Sequence, residues 1–257
     1  MQQHAAPAAV TTGTVRIPVP GAARPMAGYA ARPAGEGPWP AVVVGFEMFG
    51  ITPYVRRVAD RLAGLGLLAV VPDFYHRTAP GHSGTADAAG RARGLELIAR
   101  LTREEVADDL TAVLAHLEQR ADTAGRPSMA GFSLGGHLAW FAATQVPLTA
   151  VAAVYPGWLG TPGTALSRPE ALLDLTPRIA AVGGCRLLYL AGDEDHVATP
   201  EQTGQVRERL AAAGVPHEVV VYPGAPHGFL ADERDTYRPA AAEDAWRRLA
   251  AFLAPRS

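Results

Sequence analysis

"GFSLGGHLAW", residues 131–140, sets a serine between two glycines, adds a third glycine and passes into an apolar run. In a G-x-S-x-G elbow the serine occupies a strained strand-to-helix turn, and the flanking glycines let strand and helix pass closely while the hydroxyl stands clear of the sheet. Here Gly131 and Gly135 flank Ser133, "PSMAGF" before it reads as a strand, and "LGGHLAWFAATQ" after it reads as a helix. The motif therefore has the context its chemistry needs. The competing reading is a packing loop with an idle serine.

Outward from the elbow, short Val-, Leu- and Ala-rich runs bounded by Gly and Pro alternate with longer segments of helical period. That is the pattern of a mostly parallel sheet with helices on both faces. The runs are "VRIPVP", "RPMAGYAA", "AVVVGF", "LLAVVPDF", "PSMAGFS", "TAVAAVYP", "CRLLYLAG" and "HEVVVYPG", which predicts about eight strands. Helix starts are marked by Thr52 before Pro53, by Thr102 with Glu105 as a capping box, and by Thr199 before Pro200 with Gln202 three positions on. Pro80 to Gly94 reads as loop plus weak helix, and "GWLGTPGTALSRPE", residues 157–170, as a second loop. Both are expected above the strand ends, where α/β folds keep their sites.

A chain of 257 residues with 48% hydrophobic content can bury a sizeable core within one domain. Its formal charge of −2, with 23 basic residues scattered among 25 acidic ones, leaves no electrostatic footprint for nucleic acid or an anionic membrane. The single cysteine, Cys185, excludes an internal disulfide and a cysteine-based metal cluster. No window reaches the length of a membrane span, and "MQQHAAPAAVTTGT" lacks the basic and apolar regions of a signal peptide. We therefore expect a flexible tail over residues 1–13, a single domain over 14–257, a cytoplasmic location, and a monomer or small homo-oligomer acting on a small molecule.

A serine hydroxyl is a poor nucleophile unless a histidine takes its proton and a carboxylate fixes that histidine's tautomer. Downstream, "LLYLAGDEDHVATP" ends a strand in a cluster of acids, and "VVVYPGAPHGF" ends the next at His227. The order Ser, Asp, His, each partner just past a strand's C-terminal end, is that of an α/β hydrolase. Spacing leaves Asp193 and Asp195 competing for the acid, with Glu194 between them. His196 and His76 are rivals to His227, whereas His137 is expected to pack behind the elbow and His82, His116 and His217 to lie at the surface. An oxyanion needs backbone N–H donors, usually from the residue after the nucleophile and from the loop after an earlier strand. Those positions are Leu134 and, in "EMFGITPY", Met48 or its neighbour.

With these residues in place, the chain resembles the dienelactone hydrolase family of the α/β-hydrolase superfamily. The likeness is carried by "VVVGFEMFGITPYVRRVADRLAGLGLLAVVPDFYHRTAPG", "AGFSLGGHLAW", "AGDEDHVATP" and "YPGAPHGF", from Val42 to Phe229. It implies a triad of Ser133, Asp195 and His227, because the family aspartate immediately precedes the "HV" pair. It further implies Glu47 beside the nucleophile, and Met48 and Leu134 as oxyanion donors.

Two departures stand out. The best-known members use a cysteine where this chain has Ser133. A serine, with its much higher pKa, gains little from a glutamate that switches a thiol between states, so Glu47 is left with a structural or substrate-positioning role. The family's substrate carboxylate is held by arginines, one shortly after the histidine, where "HGFLADER" offers Ala231 and reaches an arginine only at Arg234. Arg77, Arg91 and Arg93 read as solvated charges.

Phe49, Trp158 and Tyr75 are candidate pocket residues, Tyr75 first because it directly follows a strand. The reading is a serine hydrolase of small esters or lactones; the rival is an inert scaffold that binds a small molecule. "GLGLLA", Gly64 to Ala69, spells a dinucleotide fingerprint but closes a helix and enters a strand, the reverse of what that site requires. With no Walker, H-E-x-x-H or EF-hand sequence either, no cofactor and no metal are expected.

Overall fold

The structure, a computed structural model, describes residues 9–255. Its eight strands are β1 (Val10–Ile17), β2 (Met26–Pro33), β3 (Trp39–Gly45), β4 (Leu68–Pro72), β5 (Thr123–Phe132), β6 (Ala150–Val154), β7 (Arg186–Gly192) and β8 (His217–Tyr222). They form one sheet in the order β1-β2-β4-β3-β5-β6-β7-β8. β1 and β2 pair antiparallel, β2 meets β4 antiparallel, and every other neighbour is parallel. β4 and β6 are buried at every position and β3 at five of its seven, so the centre of the sheet is covered on both faces.

The helices are α1 (Pro53–Gly64), α2 (Ala88–Ile98), α3 (Arg103–Glu118), α4 (Leu134–Ala143), α5 (Arg178–Ala181), α6 (Pro200–Ala212) and α7 (Pro239–Leu253). Three begin at threonines that accept the orphan amides of the first turn: Thr52 from Val55, Thr102 from Glu105 and Thr199 from Gln202. Cys185 is buried before β7, and burial pushes its thiol pKa up to about 11. Among the described residues no helix is long and apolar enough to cross a membrane.

Two expectations are corrected. Val10 to Gly13, read as tail, pair with Pro33 to Ala30, so β1 starts well before Val15. This stretch, "VTTG", is an exposed edge and carries no burial pattern to betray it. Residues 1–8 of the expected tail lie outside the described residues. The second concerns Pro80 to Gly94, read as loop plus weak helix: the loop runs to Asp87, and the helix that follows, α2, is a full one that continues to Ile98. Its start is Asp87, whose carboxylate accepts from Gly90 N at 2.7 Å and from the Thr85 hydroxyl at 2.7 Å.

The elbow depends on three glycines meeting backbone to backbone. A Cβ on Gly135 would lie 2.0 Å from the Gly45 carbonyl oxygen, and one on Gly131 would lie 1.9 Å from that of Gly135. β3, β5 and α4 therefore touch without side chains between them, which fixes Ser133 at the top of the sheet. Ser133 itself has φ 55° and ψ −114°, a strained conformation for a residue with a Cβ.

Candidate active site

Ser133, in the tight turn between β5 and α4, points its hydroxyl at the loop after β8. Its Oγ lies 2.8 Å from His227 Nε2. On the other side of that ring, Nδ1 lies 2.9 Å from Asp195 Oδ2 and 3.1 Å from Oδ1. The carboxylate acts as acceptor for Nδ1–H, so Nε2 carries the lone pair that faces the serine.

Asp195 is 2% exposed, and its Oδ1 also accepts from the amides of Val197 and Ala198, both at 2.8 Å. Burial opposes its charge most strongly, but the hydrogen bond and charge of His227 and the two amides outweigh it and hold the pKa below the ordinary value. The rival acids do other work. Asp193 accepts from Gly224 N at 2.7 Å, while Asp193 N and Glu194 N donate to the Tyr222 and Ala225 carbonyls. These bonds stitch the acid-bearing loop to the histidine-bearing loop.

The rival histidines are also placed. His76 sits beside Asp109 at 3.0 Å in a cluster that Arg77 completes at 2.8 Å, so Arg77 is a partner in an ion cluster and not a solvated charge. His137 is fully buried behind the elbow with Nδ1 2.9 Å from the Gly157 carbonyl, and burial pushes its pKa down to about 4, leaving it a neutral donor. His82 and His116, expected at the surface, each have a buried Nε2. His196 is exposed at the cavity mouth, its ring centre 6.2 Å from that of His227.

Leu134 is the first residue of α4, so its amide has no acceptor within the helix and is open beside the serine. Met48 follows β3 in a turn closed by Gly50 N donating to the Glu47 carbonyl at 3.0 Å. Tyr75 does not line the cavity: it is wholly buried, and its hydroxyl donates to the Met48 carbonyl at 3.2 Å. Asp73, accepting from Tyr75 N at 3.1 Å, folds the chain back directly after β4 and turns this ring inward. It supports the Met48 turn from beneath.

A cavity of about 740 Å³ opens over Ser133 and His227, walled by Glu47, Met48, Phe49, Arg91, Leu95, Trp158, Val197 and Arg234 among others. Glu47, only 2% exposed, is held by both terminal nitrogens of Arg234, one at 3.1 Å and the other closer. The Arg234 guanidinium also lies over the rings of Phe49 and Tyr54, at 5.3 and 5.6 Å from their centroids. This cluster was not readable from spacing, since its partners lie 187 positions apart. Tyr155, with φ 37°, is a further residue that the sequence did not single out; it sets its ring edge-on to His227 at 5.2 Å. No group of acidic, histidine or cysteine side chains arranged to hold a metal ion occurs among the described residues.

Residues 26–257 match the dienelactone hydrolase family. A Synechocystis protein named "putative carboxymethylenebutenolidase" is 31% identical over 92% of this chain and 94% of its own length. One of the same name from Escherichia coli K12 is 33% identical over 94% of this chain and 86% of its own. The crystal structure of a "putative dienelactone hydrolase" from Klebsiella pneumoniae superposes with a TM-score of 0.85 at 31% identity, covering 96% of this chain and all of that one. With its eight-stranded α/β sheet and its serine elbow, the chain belongs to the dienelactone hydrolase family.

Proposed function

We propose that this family member, a carboxylic-ester or lactone hydrolase, works through an acyl-enzyme formed on Ser133. The observation that carries the reading is the continuous hydrogen-bonded line from Asp195 through His227 to Ser133, opening into the cavity. His227 takes the hydroxyl proton as Oγ attacks the carbonyl carbon, and Asp195 stabilises the imidazolium. The resulting oxyanion is held by the amides of Leu134 and Met48. His227 then gives its proton to the leaving oxygen, and in deacylation takes one from the water that attacks the acyl carbon. As the second tetrahedral intermediate collapses to the free acid, His227 returns that proton to the departing Ser133 Oγ. Besides water, a small ester or lactone is the only partner this chemistry needs, and no metal or cofactor enters any of these steps.

Glu47 has a different task. Its carboxylate is committed to Arg234, so it is a positioning group for the turn that carries Met48 and not a second base. Glu47→Gln keeps the size and loses the charge. It is expected to lower kcat/KM by about tenfold, within the range for loss of one charge-assisted hydrogen bond. Steady-state kinetics on one ester checks this; a loss equal to that of His227→Ala would make Glu47 a participant in proton transfer.

The direct test is the intact mass of the wild-type protein after exposure to a fluorophosphonate, with the modified peptide located. A single adduct on Ser133 is expected. No adduct on the folded protein would overturn the reading.

A further inference from the structure

Among the described residues only two large apolar side chains are strongly exposed, Leu65 and Leu95, and Leu95, at 51%, stands on the wall of the active-site cavity. A single exposed leucine needs no explanation, but this one belongs to a set. Trp158 and Val197 line the same cavity. α2 reaches this position because it bears directly on the Met48 turn: a Cβ on Gly94 would lie 3.0–3.1 Å from Met48 Cγ, Cβ and carbonyl oxygen. Leu95, the next residue, is thereby tied to the element that bears the second oxyanion donor.

Trp158 is held more firmly still. Its φ of 57° is a left-handed conformation, costly for an aromatic residue, and it persists only if the surroundings over-determine it. They do. The Gly157 carbonyl lies 2.9 Å from His137 Nδ1, Gln202 donates to the Pro156 carbonyl at 2.8 Å and accepts from Leu159 N at 2.7 Å, and the Ser167 hydroxyl donates to the Trp158 carbonyl at 3.0 Å. Three side chains from three separate segments fix the backbone on either side of one partly exposed indole. Of the charged residues on this wall, Glu47 and Arg234 pair with each other, Glu233 pairs with Arg57 at 2.7 Å, and Arg91 donates to the Ala86 carbonyl at 3.2 Å. A cavity of about 740 Å³ is also far roomier than a five-membered lactone requires and falls in the range that encloses a drug-sized ligand.

We propose that Trp158 and Leu95 form a built apolar cradle at the cavity mouth, which makes this enzyme selective for esters carrying a medium-length alkyl or aryl group over compact acetates and small lactones. The inference rests on the serine-hydrolase reading above. Burying each added methylene against the cradle raises kcat/KM by up to about fourfold, so six-carbon esters exceed their two-carbon counterparts by about tenfold or more.

The test uses ethyl acetate as the common reference, with ethyl hexanoate lengthening the acyl side and hexyl acetate lengthening the alcohol side, followed by proton release. A rise in either arm supports the cradle and assigns the side it grips. Rates that are flat or falling in both, on a protein that hydrolyses the acetate, overturn it while leaving the serine-hydrolase reading standing. Absence of both fluorophosphonate adduct and turnover would instead overturn that reading and the cradle with it. Trp158→Ala is expected to cut the six-carbon to two-carbon ratio about tenfold and Leu95→Ser about threefold, with Trp158→Phe retaining most of it. Equal losses on long and short esters in Trp158→Ala and Leu95→Ser would give the two side chains a merely structural role and overturn the proposal.

Discussion

Ser133→Ala is expected to lower kcat by about a million-fold, and His227→Ala by a similar amount. The reason is geometric. With Oγ 2.8 Å from Nε2, the proposed mechanism makes the serine and histidine one device for moving one proton, in which neither half works alone. The double variant should therefore be no worse than either single one. Additive losses would show that the two residues act independently. On the proposed mechanism the residual rate would come from the groups that remain, the Leu134 and Met48 amides, stabilising the oxyanion formed by attack of water. Ser133→Ala should melt close to the wild type, since its side chain fills no core volume, and should still bind the ester that it no longer cleaves; His227→Ala should melt lower, because it leaves the buried Asp195 carboxylate without its ring partner. A loss of less than a hundredfold in Ser133→Ala would transfer the nucleophile's role away from the elbow.

The elbow and its partners were legible because each piece of the machinery is announced locally. Ser133 sits among glycines that backbone contact requires, and Asp195 and His227 follow their strands directly at the end of the sheet where such folds keep their chemistry. Caps were legible for the same reason, as Thr52, Thr102 and Thr199 act within three residues of themselves. The competition between Asp193 and Asp195 was not decided by spacing, because both follow β7 and differ only in which way the turn directs them. Long-range placement was the other gap. Nothing near Arg234 says that it will reach Glu47, and nothing in "PDFYH" says that Asp73 will fold Tyr75 inward. α2 was undervalued because its buried positions include Gly90 and Gly94, whose function is close approach and which contribute no hydrophobic period.

Asp195→Asn and Asp193→Asn separate the two acids, with an expected contrast of about 10⁴-fold. Asparagine at 195 keeps the size but offers an amide N–H where Nδ1–H needs an acceptor, so the imidazole is driven to the tautomer whose Nε2 bears the proton and can no longer accept from Ser133. A fall in kcat of about 10⁴ follows, and the altered carboxylate should also change the protein's response to acid. Asp195 has a pKa held below its ordinary value in the fold, so its contribution to stability is present above the unfolded value, about 4, and is lost as pH falls through the lower folded value. The wild type should therefore lose melting temperature below about pH 4 more steeply than Asp195→Asn does. Asp193→Asn, by contrast, keeps an oxygen that can accept from Gly224 N and loses only the charge, at an exposed position. It should cost activity no more than about threefold, through slackening of the loop that carries His227. A reversed ranking of the two variants would place Asp193 as the orienting acid, and would mean that the turn after β7 rearranges when substrate enters.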